Sequence, residues 1–175
     1  MWALKPEAAL ALLVVWACAV AWMDFRHRRI PNSLSLGAWV FGVLHLVILG
    51  KSFLGASPTS SLLAAGFAVL VTLPGYLMRQ LGAGDVKFLV ALGLLSSWPL
   101  TLNCFAIGAL LGAATALAGS HRLALLMWLP HALRRPGSRI EQWGLAAPPK
   151  RHVPFGTCLT LGLLLALYLG GTGTA

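Results

Sequence analysis

The chain has 175 residues, of which 58 % are apolar and only 10 % charged, with a mean hydropathy of +0.82. A soluble domain carries about a quarter charged residues, so this composition excludes a soluble globular fold and fits an integral membrane protein. The net charge of +9 would suggest nucleic acid in a soluble chain. In a membrane protein it reflects Lys and Arg in cytoplasmic loops, so no nucleic-acid partner is expected.

Six apolar segments follow in chain order, at about 7–23, 34–50, 61–78, 86–102, 104–120 and 154–171. At about 17 to 18 residues, each is at the short end of what crosses a bilayer. The first follows Lys5 as a signal peptide would, but "AWMDFRHRRIPN" comes next without a small-residue cleavage site, so it reads as a retained helix. Between the fourth and fifth segments, "SSWPLTLN" predicts a tight helical hairpin around Pro99. Gly108 and Gly112 in the fifth form a small-xxx-small face suited to close helix packing. The linker at about 121–153 is the one sizeable extramembrane piece. Within it, "HRLALLMWLPHALRR" predicts a helix along the cytoplasmic interface, and "RRPGSR" and "AAPPKR" mark turns. The expected fold is an all-α integral membrane protein with about six transmembrane helices, forming a single domain over 1–175.

Basic residues assign the sides. The first, third and fifth linkers hold eleven of the thirteen Lys and Arg residues; Lys5 and Lys51 are the other two. This split puts the N-terminus outside and the odd linkers in the cytoplasm, against anionic headgroups. Cys18, Cys104 and Cys158 all fall within apolar runs with no C-x-x-C, so they read as buried thiols.

The chain has four acidic residues, Glu7, Asp24, Asp85 and Glu141. The two aspartates each stand where an apolar run meets a polar break. Asp24 ends the first segment and Asp85 opens the fourth, with two complete spans between them, so parity puts both on the cytoplasmic face. A carboxylate at membrane depth is costly and marks function. Two that converge cannot both ionise easily, so they share a proton, an arrangement suited to aspartic proteolysis. Gly82 and Gly84 lack a Cβ and let a backbone or a substrate strand approach Asp85 closely. The start of the fourth helix would hold its carboxylate through free N–H groups. Each aspartate alone also has an ordinary explanation: Asp85 as a helix N-cap, Asp24 as counterion to Arg26, Arg28 or Arg29. Their matched depth on one face speaks against two coincidences.

Read together, these stretches resemble the type IV prepilin peptidases, membrane aspartic peptidases with a G-x-G-D motif. Asp24, five residues, then Ile30-Pro31-Asn32 is similar to the family's D-x5-L-P-D, with Asn32 departing from the common Asp. "GAGDVK" matches G-x-G-D-x-K, and "VPFG" at Val153 to Gly156 is a weaker third likeness. The resemblance implies that Asp24 and Asp85 are the catalytic pair. It implies hydrolysis of the leader from a prepilin at the cytoplasmic face of the bacterial inner membrane, with no metal or organic cofactor. Larger relatives carry a cysteine-rich cytoplasmic insertion associated with N-methylation. Here the linker from Asp24 to Ser33 is about ten residues without cysteine, so a methyltransferase activity is not expected. The chain looks most like the small enzymes of tight-adherence (Flp-type) pilus systems.

Other residues have lesser claims. Lys87 is positioned to steady Asp85 or to meet an acidic substrate residue. Arg29, with Arg26 and Arg28, meets lipid headgroups or substrate. Asn32 after Pro31 caps the second helix. His27 has no second ligand at metal spacing, which argues against a metalloprotease. His45 reads as a hydrogen-bonded packing residue within the second span. The alternative function is a small membrane transporter using the aspartates as a proton or cation site. A presenilin-like enzyme is disfavoured, because Met23-Asp24 borders a basic loop.

Overall fold

A computed structural model of the chain describes residues 5–27, 30–121, 127–128, 139–145 and 155–172. The helices are α1 (Pro6–His27), α2 (Asn32–Leu49), α3 (Pro58–Leu77), α4 (Ala83–Leu95), α5 (Trp98–Ser120), α6 (Arg139–Leu145) and α7 (Phe155–Thr172). No strand occurs among the described residues. Two compact units result, Met1–Ala109 with Pro154–Ala175, and Leu110–Val153. The second unit holds the end of α5 together with α6, where Glu141 in the first turn complements the helix dipole. The turns expected at "RRPGSR" and "AAPPKR" lie outside the described residues, apart from Arg139 at the start of α6. The expected interfacial helix in "HRLALLMWLPHALRR" lies almost wholly outside the described residues. Met127 and Trp128 are described, and both are exposed.

Four helices are long and apolar enough to cross a membrane: α1, α2, α3 and α5; α7 is a shorter apolar helix over Phe155–Gly170. Their outer faces carry the large apolar side chains that a soluble protein would bury. Val47, Ile48, Leu70 and Leu77 are 70–77 % exposed, which is stable only where the surrounding medium is itself apolar. The segment expected at 86–102 divides differently. α4 ends at Leu95, and α5 already begins at Trp98. The turn therefore lies at Ser96–Ser97, and Pro99 sits in the first turn of α5, where its missing N–H costs no hydrogen bond. Cys104 and Cys158 are buried as expected, but Cys18 is exposed on α1.

With 13 residues, α4 is the shortest helix of the first unit and the most deeply enclosed. From Phe88 to Leu95 every residue is buried, as suits a helix apolar on all sides. It packs against α2, α3 and α7, while α1 packs on α7. At about 1.5 Å per residue it cannot cross a hydrocarbon core of about 30 Å alone. Its carbonyl end is closed from below by the α2–α3 connection. The Leu54 N–H donates to the Leu95 carbonyl at 3.0 Å. The Ser61 hydroxyl donates to the Ser96 carbonyl at 2.8 Å. His45 braces the same connection by hydrogen-bonding the Lys51 carbonyl and packing on Phe41 and Phe53.

Small residues set the helix spacing. A Cβ on Gly93 would lie 2.7 Å from Ala65 N and 2.8 Å from Ala64 C, so α4 meets the backbone of α3 directly. Gly108 of α5 likewise sits against Leu159 and Gly162 of α7, as its small-residue face predicts. Gly93→Ala should therefore cost about 1–3 kcal/mol of stability, because a backbone cannot move aside as a flexible side chain can. Gly37→Ala, where a Cβ meets nothing within 4 Å, should be neutral or gain about 0.5–1 kcal/mol from helix propensity. Thermal midpoints of the two variants in detergent check the contrast.

Candidate active site

Asp24 lies in the last turn of α1 and Asp85 in the first turn of α4, and both carboxylates are buried. Each is held by a backbone N–H from a glycine-containing segment, but by different means.

Asp85 is fixed locally. α3 ends in a chain reversal in which Gln80 and Leu81 both donate to the Gly75 carbonyl, and Arg79 takes φ 58°. Leu81 folds back over Gly75, where a Cβ would meet its side chain at 2.6 Å. The reversal delivers Gly82 as the N-cap of α4. The Gly82 N–H then donates to Asp85 Oδ2 at 3.1 Å. This is one half of a capping box; the other half cannot form because glycine has no side-chain oxygen. The expectation that the helix start holds this carboxylate is met in this form, with Asp85 at the third helical position instead of the N-cap.

Asp24 is fixed from a distance. The Thr157 N–H, at the start of α7, donates to Asp24 Oδ2 at 3.0 Å. The Thr157 hydroxyl lies 3.5 Å from the same oxygen and 3.4 Å from the Ala21 carbonyl. The free N–H groups at a helix N-terminus suit a carboxylate. Thr157 was absent from the residues singled out in the sequence. The signal was present all the same: the parity that pairs the aspartates also puts the start of the last apolar segment on their face.

Ile30 packs beside glycines next to both carboxylate sites. A Cβ on Gly84 would stand 2.9 Å from Ile30 Cβ, and one on Gly156 would stand 3.1 Å from Ile30 Cδ1 and 2.9 Å from Asp24 Oδ2. The end of α1 and the starts of α4 and α7 thus meet around one side chain at one end of the bundle. This corrects the reading of Gly84: the space it leaves is filled by the chain's own Ile30. Gly82 leaves its space to the Asp85 carboxylate, whose Oδ2 lies 3.2 Å from where a Cβ would be.

The remaining candidates fall into place around this centre. Pro31, at φ −60° and ψ 138°, is the N-cap residue of α2, so Asn32 is the first helical residue and makes no capping hydrogen bond. Its Oδ1 instead accepts from Lys87 Nζ at 2.8 Å. Trp39 Nε1 donates to the Lys87 carbonyl at 2.7 Å. Trp16 stacks on Phe88 at 5.1 Å and donates to the Leu34 carbonyl. These bonds tie the starts of α2 and α4 together beside Asp85. Arg26 and His27 are exposed in the last turn of α1; Arg29, with Arg28, lies outside the described residues. Among the described residues no group of three His, Cys, Asp or Glu side chains comes together to hold a metal ion.

Two buried carboxylates at one end of an apolar bundle, each receiving a backbone N–H and flanked by glycines, have the ingredients for acid–base chemistry on a peptide. The family comparison bears on the same region. The model of the type IV leader peptidase family matches residues 11–117, which include most of α1, all of α4 and both aspartates. No curated protein and no solved structure matches the chain significantly. The match covers more than half of the chain, and with the apolar helices around the two aspartates it identifies a multi-pass membrane protein that belongs to the type IV leader peptidase family.

Proposed function

We propose that the protein is an aspartic endopeptidase that removes the leader of a type IV, Flp-like prepilin at the cytoplasmic face of the bacterial inner membrane. Asp24 and Asp85 act as a pair sharing one proton. The ionised carboxylate takes a proton from a water as its oxygen attacks the scissile carbonyl, while the protonated one polarises that carbonyl. The tetrahedral intermediate then collapses. The C–N bond breaks, a proton passes to the leaving nitrogen, and a free carboxylate and a new amino terminus result. The reaction draws on no metal or organic cofactor. The short linker between α1 and α2 carries no methyltransferase insertion, so cleavage proceeds without N-methylation by this chain.

The observation that carries this reading is the meeting of the two aspartate-bearing helix ends around Ile30, within the stretch matched by the leader peptidase family. Two complete crossings, α2 and α3, separate the two aspartates and so keep them on one face, and the Lys and Arg of the odd linkers support reading that face as cytoplasmic. The substrate's apolar helix stays in the bilayer while its leader reaches the pair. Transport through the aspartates is the competing reading, and the family match speaks against it. Lys87 serves as a strut to Asn32, holding the start of α4 against the start of α2.

Asp24→Asn and Asp85→Asn should each abolish processing of a co-expressed prepilin while the protein remains folded in the membrane. A gel shift of the substrate measures this, and full cleavage by either variant overturns the pair. For the strut, Lys87→Met and Asn32→Leu should each cost about 0.5–1 kcal/mol, as befits a partly exposed charged hydrogen bond. The double variant should cost no more than either single, because both remove one interaction. Thermal midpoints in detergent give the comparison; additive losses would mean that Lys87 acts apart from Asn32.

A further inference from the structure

We propose that Ile30 is a positioning residue, the spacer that sets the separation of the two carboxylates. The inference rests on the reading of Asp24 and Asp85 as the catalytic pair, and it assigns a role to a residue whose side chain has no group that can take part in the reaction. Ile30 is half-buried against the core beside the starts of α4 and α7. Its side chain occupies the space left open by two glycines on different helices. At Gly84 a Cβ would stand 2.9 Å from Ile30 Cβ, 3.1 Å from Cγ1 and 3.2 Å from Cδ1; at Gly156 a Cβ would stand 3.1 Å from Cδ1.

Each glycine is one residue from a group that fixes a carboxylate. Gly84 immediately precedes Asp85. Gly156 immediately precedes Thr157, whose N–H holds Asp24 Oδ2 at 3.0 Å. The path from one aspartate to the other therefore runs through Asp24, Thr157 with Gly156, Ile30, Gly84 and Asp85, and the one adjustable length along it is the isoleucine side chain. A shorter side chain lets the helix starts drift together; a bulkier one drives them apart.

The residue type suits the task. A β-branched side chain has little χ1 freedom. The following Pro31 restricts the Ile30 backbone to extended conformations, so the direction of the side chain is fixed as well as its length. Two nearby carboxylates are coupled through their charges. That coupling depends on separation, so a spacer governs the pH dependence of the reaction as well as its rate. A residue that merely fills the core governs neither.

The test uses the full-length protein in lipid nanodiscs and a synthetic substrate with a basic leader, a glycine and an apolar helix. Misplacing catalytic groups by about 1 Å costs up to about 100-fold, so Ile30→Ala should lower kcat by about tenfold or more with KM little changed. The two limbs of its kcat–pH profile should also shift relative to one another. Ile30→Val and Ile30→Leu, which keep most of the bulk, should retain activity within a few-fold of the parent. Gly84→Ala should be harmful in the parent and less so in the Ile30→Ala background, where the new methyl takes up vacated space.

Parental kcat and pH profile for Ile30→Ala would overturn the proposal. So would a loss seen only as less folded protein, with kcat per folded molecule unchanged. Asp24→Asn and Asp85→Asn are assayed alongside. If these two are inactive while Ile30→Ala is parental, the spacer alone falls. If they cleave normally, the pair falls and takes the spacer with it.

Discussion

The structure around the two aspartates depends on the burial of one short helix from Phe88 to its end. α4 is apolar on every side and too short to reach across a bilayer alone, so both of its ends lie within reach of other parts of the protein. Backbone groups in such surroundings must find partners, because unsatisfied N–H and C=O groups in an apolar medium cost several kcal/mol each, on the order of a whole side chain's burial. At the carbonyl end those partners come from Leu54 and Ser61. At the amino end the Asp85 carboxylate turns back to the Gly82 N–H. The aspartate that stands out in the sequence is thus part of the solution to a burial problem as well as a candidate for chemistry.

The opposite aspartate meets the same constraint by another route. α1 ends with its own carbonyl groups, which offer a carboxylate nothing, so Asp24 is served by the start of α7. The two carboxylates consequently sit at similar burial in comparable environments, each with a backbone donor and a neighbouring glycine. Such near-equivalence suits a pair that titrates as a unit and exchanges the roles of acid and base during one turnover. Glycine is required at Gly84 and Gly156 for close approach, since neither has an unusual φ and in both cases Ile30 fills the gap.

Stability and geometry are served by different residues here. Direct backbone approach at Gly93 and Gly108 holds the helices together, and the aromatic stack of Trp16 on Phe88 anchors α4 to α1 near the carboxylates. The hydrogen bonds from Lys87 to Asn32 and from Trp39 to the Lys87 carbonyl add cross-links between α2 and α4 at the same end. None of these groups needs to touch a substrate to matter for the reaction.

The sequence by itself determined the medium, the helical class and the end of the bundle at which the aspartates lie. These follow from composition, from apolar run lengths and from the parity of crossings, all of which add up along the chain without knowledge of its packing. Gly108 was legible for the same reason, because small residues four apart share one helix face. Tertiary structure decided what depends on contacts between distant residues. It ended α4 at Leu95, where hydropathy alone runs on through Trp98 to Leu102, because the Ser96 carbonyl accepts from Ser61 of α3 while the Ser96 hydroxyl and the Ser97 carbonyl bond to the Thr101 hydroxyl at the start of α5. It gave the Asn32 side chain to Lys87 instead of to its own helix, exposed Cys18, and filled the space beside Gly84 with Ile30. It also brought Thr157 to Asp24, 133 residues away. No local pattern encodes such partners, since hydrogen bonds and close packing depend on angstrom-scale placement that only the folded bundle supplies.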